Sequence, residues 1–149
     1  MSELPMRCRG AIYPWHCDHV GHMNVMWYTG KFDEASWNIF AMVGLMPTFL
    51  RENSRGVVAV EQKIKYLREL HAGDIITIRS RLLELAGKKI RFIHEMINGE
   101  TLEVAATTEL MGLCHDKEIS KSCTFPDEIQ ANARQMIAEH ATVAKAQDD

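Results

Sequence analysis

The sequence has no long apolar run. Its longest, Ile39 to Met46, is too short to cross a bilayer, which takes about 20 apolar residues in a row. The opening stretch MSELPMRCRG has no apolar segment after its basic residues and does not read as a secretory signal. There is no excess of positive charge. Lys and Arg number 17 against 20 Asp and Glu, a formal net charge of -3, which speaks against a general nucleic-acid binder. The cysteines (Cys8, Cys17, Cys114, Cys123) form no C-x-x-C pair and read as reduced packing thiols. Repeats and low-complexity linkers are missing too. These absences predict a soluble, cytoplasmic chain with no membrane or nucleic-acid partner, folded as one domain over residues 1–149.

What is present is patterned. Residues 7–15 read as a first strand, with Pro14 near its end. A polar, His-rich segment runs from His16 to Asn24. Val25, Tyr28, Phe32, Ala35, Ile39 and Val43 then recur at helical spacing. Met26, Trp27, Trp37 and Phe40 add apolar surface on the other sides, the mark of a buried helix. Asn24 sits where an N-cap belongs, and Gly44 and Pro47 mark the end. From residue 57 the period becomes two: Val58, Val60, Gln62, Ile64 and Tyr66, then a turn at Gly73-Asp74, then Ile76, Ile78, Ser80 and Leu82. Gly87 breaks the pattern, which resumes at Ile90, Phe92, His94 and Met96. Asn98-Gly99 reads as a tight hairpin turn before Leu102, Val104, Ala106, Thr108 and Leu110. Asp127 to about Ala144 reads as a closing helix. The order predicts an α+β fold: an antiparallel β-sheet wrapped around one long central helix, with a C-terminal helix. The open sheet edge predicts a dimer.

The chemistry is concentrated in His16-Cys17-Asp18-His19-Val20-Gly21-His22-Met23-Asn24. A helix start presents unpaired backbone N–H groups and partial positive charge, which can polarise a carbonyl oxygen. Asp18 is a carboxylate placed to reach the same carbonyl carbon. Gly21 allows a tight bend and the close approach of a ligand.

The run Asp18-His19-Val20-Gly21-His22-Met23-Asn24, followed by Tyr28 and by Phe32-Asp33-Glu34-Ala35, resembles the signature of 4-hydroxybenzoyl-CoA thioesterase-like proteins of the hotdog fold. Lys63-Ile64-Lys65-Tyr66, Gly73-Asp74 and Gly87-Lys88-Lys89 extend the likeness, over roughly residues 7–116. The resemblance implies an acyl-CoA thioesterase with no cofactor or metal, acting as a homodimer or homotetramer. Asp18 is then nucleophile or general base, and the Val25 N–H, capped by Asn24, polarises the thioester carbonyl. His22 either holds the loop or touches the thioester. Gly21 and Tyr28 line the substrate site. Two departures stand out. His16 replaces an aspartate found in many relatives, and Asn24-Val25 replaces a pair of asparagines.

Lys88, Lys89 and Arg91 form the one compact basic group on the sheet and are candidates for the CoA phosphates; Arg51 and Arg55 are weaker ones. Trp15, Trp27 and Trp37 surround the motif and could select an aromatic acyl group or, through cation–π contacts, a quaternary ammonium such as betaine. Other readings stay open: an enoyl-CoA hydratase using Asp18 and His22, a non-catalytic acyl-CoA binder, a metal site among His16, Cys17, Asp18, His19 and His22, and a Cys17 nucleophile.

Overall fold

Alternating apolar residues from Ile76 to Leu110 build the wall of the molecule, as seen in a computed structural model that describes residues 6–147. The elements are β1 (Met6–Ala11), a 3-10 turn (Pro14–His16), α1 (Val25–Met42), α2 (Pro47–Glu52), β2 (Arg55–Tyr66), β3 (Ile75–Ala86), β4 (Lys89–Asn98), β5 (Val104–Asp116), β6 (Lys121–Ser122) and α3 (Asp127–Gln147). The sheet order is β1-β3-β4-β5-β2, with β6 beside β5 and every pairing antiparallel. Ile76, Ile78, Leu82, Ile90, Phe92, Met96 and Ala106 turn one face inward, onto Phe32, Ala35 and Ile39 of α1. Each large side chain buried this way contributes about 1.5–3 kcal/mol. α3 closes the structure beside the C-terminal half of α1, burying Ile129, Ala133 and Met136. A curled antiparallel sheet around a long helix is the hotdog fold that the resemblance implies.

The apolar core falls into two clusters, one around Tyr28 and Phe32, the other around Ile39 and Val43. Between them lies a fully buried histidine. His94 of β4 bonds Ser80 Oγ of β3 through Nδ1 (2.6 Å) and Ser36 Oγ of α1 through Nε2 (3.0 Å). Ser36 donates its own hydroxyl proton to the Phe32 carbonyl (3.0 Å), so it accepts from His94. The imidazole therefore carries its proton on Nε2, and its Nδ1 lone pair accepts from Ser80. This polar bridge ties the helix to the sheet.

Several expectations are corrected. β1 stops at Ala11, because the chain turns at Pro14 into the 3-10 turn instead of running on to Trp15. Pro47 does more than end α1: it occupies the first position of α2, where its fixed φ suits a helix start. Asn98-Gly99 does not form a two-residue turn. Asn98 Oδ1 accepts from the Glu100 and Thr101 N–H groups, and residues 99–103 make a longer loop in which Leu102 takes φ 64°. Gly99 has a different use. Its N–H donates to the Ile75 carbonyl (2.7 Å), and a Cβ there would stand 3.1 Å from that oxygen. α1 is not buried all round: one sheet covers one side, and Met26, Trp37 and Met42 stay exposed.

Candidate active site

The segment before α1 is held at both ends. The Tyr13 N–H donates to His16 Nδ1 (2.9 Å), and the buried His16 ring sets its edge against Trp27, 4.7 Å between centroids. This is what His16 does in place of an aspartate. It closes the turn and packs, and burial lowers its pKa. At the far end the Met23 N–H donates to the Leu70 carbonyl (2.7 Å), and the Asn24 N–H to the His16 carbonyl (2.9 Å).

Between these anchors the loop closes on itself. Asp18 N–H reaches the His22 carbonyl (3.2 Å), and Gly21 N–H reaches the Asp18 carbonyl (3.0 Å). Gly21 takes φ 100°, a conformation that costs other residues strain. Asp18 Oδ1 accepts from the Val20 N–H (2.9 Å), and Oδ2 accepts from Asn24 Nδ2 (2.8 Å). Asn24 Oδ1 accepts from the Met26 N–H (3.0 Å), the N-cap bond of α1. One amide side chain thus joins the carboxylate to the first turn of the helix. The Asn24 bond, then the Val20 N–H, hold the Asp18 carboxyl below its ordinary pKa, with smaller help from His22 and His19 against slight desolvation. The Val25 N–H opens the helix and finds no acceptor among the described residues.

Beside this start lies an open cleft with about 490 Å³ of empty space, lined by His22, Met23, Val25, Tyr28, Tyr66, Leu67, Arg68 and Glu69. Three candidates from the sequence, His22, Val25 and Tyr28, meet here. Asp18, Gly21 and Asn24 lie on the adjoining loop. His22 donates from Nδ1 to the Met23 carbonyl (3.3 Å), while its Nε2 faces Glu69 Oε1 at 3.9 Å. Among the described residues no side-chain hydrogen bond joins His22 to Asp18. Sequence reasoning missed Leu67, Arg68 and Glu69, and gave Tyr66 a place in a strand and in the family likeness but no role in the site.

Other candidates lie elsewhere. Lys89 pairs with Leu113 of β5 in strand register and Tyr66 with Ala106, so the basic group sits at the opposite end of the sheet from the cleft. Lys89 and Arg91 face Glu84 (3.5 and 3.7 Å), Arg91 also bonds Glu109, and Lys88 is exposed. None of the three tryptophans is among the cleft residues: Trp15 stacks on Tyr13, while Trp27 meets His16 and Trp37 meets Phe40 edge to face. Cys17 Sγ lies 3.9 Å from the Tyr13 carbonyl, with no imidazole bonded to it among the described residues. Among those residues, too, no three His, Cys, Asp or Glu side chains converge as metal ligands. Among the described residues no helix is long and apolar enough to cross a membrane.

Residues 12–133 match the family model described as thioesterase-like superfamily. The chain is 28% identical over 148 residues to an L-carnitine dehydrogenase/betainyl-CoA thioesterase of Agrobacterium fabrum, covering 94% of this chain and 30% of that protein. The chain therefore spans about a third of that relative. It is 21% identical to a betainyl-CoA thioesterase of Pseudomonas aeruginosa, covering 94% of this chain and 88% of that protein. In fold it is similar to a Staphylococcus aureus protein solved in complex with CoA, with a TM-score of 0.84 and 18% identity, over 89% of this chain and 83% of the other. With the family model spanning the motif loop, the central helix and most of the sheet, the chain belongs to the thioesterase-like superfamily.

Proposed function

We propose that this chain hydrolyses acyl-CoA thioesters to a free acid and CoA. The observation that carries the reading is the Asn24 side chain, which holds the Asp18 carboxylate and caps the helix whose first N–H is open. A thioester whose carbonyl oxygen accepts from the Val25 N–H presents its carbonyl carbon beside that loop. The helix start, with roughly half a positive charge, favours the oxyanion that forms. Asp18 then acts in one of two ways. It attacks the carbonyl carbon and expels CoA thiolate, leaving a mixed anhydride that water opens, or it takes a proton from the water that attacks. Both routes end in carboxylate, CoA thiol and a regenerated Asp18, with no cofactor.

The names of the relatives make betainyl-CoA the first substrate to try. Thiol release from betainyl-CoA and a panel of other acyl-CoAs tests the reading. Loss of enone absorbance from crotonyl-CoA without thiol release would point to a hydratase instead. Binding without turnover across the panel would point to an acyl-CoA sensor.

The acid limb of kcat/KM carries a sign. The ionised carboxylate does the work, and its pKa is depressed, so activity persists into the ordinary carboxylate range and falls only below it. Asn24→Ala removes the bond chiefly responsible. The limb then moves to higher pH, towards the ordinary value of 3.8, and the lost cap costs about 1 kcal/mol of stability. A kcat/KM profile against pH checks the first effect; an unmoved limb would contradict it.

The same reading makes β2 a subunit interface. It is an outer strand of the sheet with Val58 and Val60 exposed, an edge that soluble proteins pair or cover. Antiparallel pairing of two β2 edges carries the Lys89 end of one sheet level with the cleft of the other, where Lys88, Lys89 and Arg91 can serve the CoA phosphates. Light scattering is expected to give at least twice 17.0 kDa; a monomer would contradict the interface.

A further inference from the structure

Resting on the thioesterase reading, we propose that Tyr28, Tyr66 and Glu69 form a subsite for a quaternary ammonium at the end of a short acyl group. The Tyr28 and Tyr66 rings stand 5.1 Å apart at 87°, two walls meeting at a right angle in the cleft. Tyr28 is fixed, 4% exposed and packed in the core cluster of Met23 and Phe32. Tyr66 is 50% exposed, so its ring surface is not used up by the core. Glu69 adds a carboxylate to the same cleft. Burial, then Tyr66 and Glu69, raises the Tyr28 hydroxyl pKa, in keeping with a carboxylate whose field reaches the ring.

The chemistry selects this ligand class. A quaternary ammonium has no N–H to satisfy, so ring faces and a nearby negative charge hold it without directional hydrogen bonds. A primary ammonium has three N–H donors to satisfy, and beside two ring faces Glu69 alone cannot satisfy all of them. The other charged groups near the cleft have partners of their own. Arg68 Nη1 donates to the Leu67 carbonyl (2.8 Å), and its Nε lies 3.7 Å from Glu103. His22 and His71 flank Glu69 at 3.9 and 3.6 Å, and Asp74 faces His71 at 3.9 Å.

Length is set by the helix. Val25 and Tyr28 are three residues apart on one face of α1, about 5 Å along the axis. A carbonyl held at the Val25 N–H leaves space for a short linker before the cation meets Tyr28. The tryptophans play no part in this subsite; the two tyrosines take the role.

The test compares betainyl-CoA with 3,3-dimethylbutyryl-CoA, which has the same shape and no charge. Wild type is expected to favour the cation by about tenfold or more in kcat/KM, chiefly through KM. Tyr66→Leu and Glu69→Gln are each expected to shrink that ratio several-fold, and Tyr66→Phe to keep it. A wild-type ratio near one, or a ratio unmoved in both variants, overturns the subsite. If neither thioester is cleaved, hydrolysis is the claim that fails, and calorimetry of wild type with the same two thioesters decides the subsite. A tenfold tighter betainyl-CoA supports it, and equal affinities overturn it.

Discussion

Asp18→Asn is expected to lower kcat by about 10²–10⁴-fold while leaving a folded protein of unchanged assembly. The substitution keeps the size of the side chain and removes its charge. The amide oxygen can still accept from the Val20 N–H. The amide nitrogen then meets Asn24 Nδ2, donor against donor, where the carboxylate accepts at 2.8 Å. Asn24 cannot turn over to cure this without withdrawing the oxygen that caps Met26. A small loss of stability is therefore expected beside the large loss of rate. Steady-state thiol release, with circular dichroism for the fold, reads the two separately. Near-wild-type kcat would remove Asp18 from the chemistry.

The second large effect concerns stability and pH. His94 is buried between two serines and the Phe32 ring, and burial pushes its pKa down from 6.5 to about 3. The folded state holds the imidazole neutral; the unfolded chain takes a proton once the pH falls below 6.5. Over that window the unfolded state binds more protons, so stability drops as pH falls from 6.5 towards 3. The full fall corresponds to on the order of 5 kcal/mol. Burial is what makes the proton unwelcome, and a proton on Nδ1 would also force the Ser80 hydroxyl to turn from donor to acceptor. Urea unfolding at pH 7 and at pH 5 is expected to show a loss of on the order of 2 kcal/mol in wild type. His94→Gln cannot titrate, and its loss over the same interval should be clearly smaller. Equal losses in both proteins would show that other groups set the acid sensitivity.

The parts legible in the sequence were those written locally. Helical spacing from Val25 to Val43 and alternation from Ile76 to Leu110 report a buried stripe and a buried face, and the fold follows from packing one against the other. The setting of the Asp18 carboxylate was legible because the side-chain bonds that hold it run over at most six residues: Asp18 to Val20, Asp18 to Asn24, Asn24 to Met26. The wall of the cleft was not. Tyr66 and Glu69 reach Tyr28 and His22 across about forty to fifty residues of chain, a distance over which periodicity carries no signal. The tryptophans misled for the converse reason. They neighbour the motif in sequence, yet Trp15 and Trp37 turn outward, and Trp27 is taken up by His16. Lys88, Lys89 and Arg91 form one cluster in sequence, but β4 carries them to the end of the sheet away from the cleft of their own chain.

The most direct test is a crystal structure of the Asp18→Asn variant with uncleaved betainyl-CoA. The thioester carbonyl oxygen is expected about 2.7–3.2 Å from the Val25 nitrogen, its carbon facing residue 18, with the trimethylammonium group in the corner lined by the Tyr28 and Tyr66 rings. A thioester bound away from the start of α1 would contradict the assignment of this loop and helix as the active site.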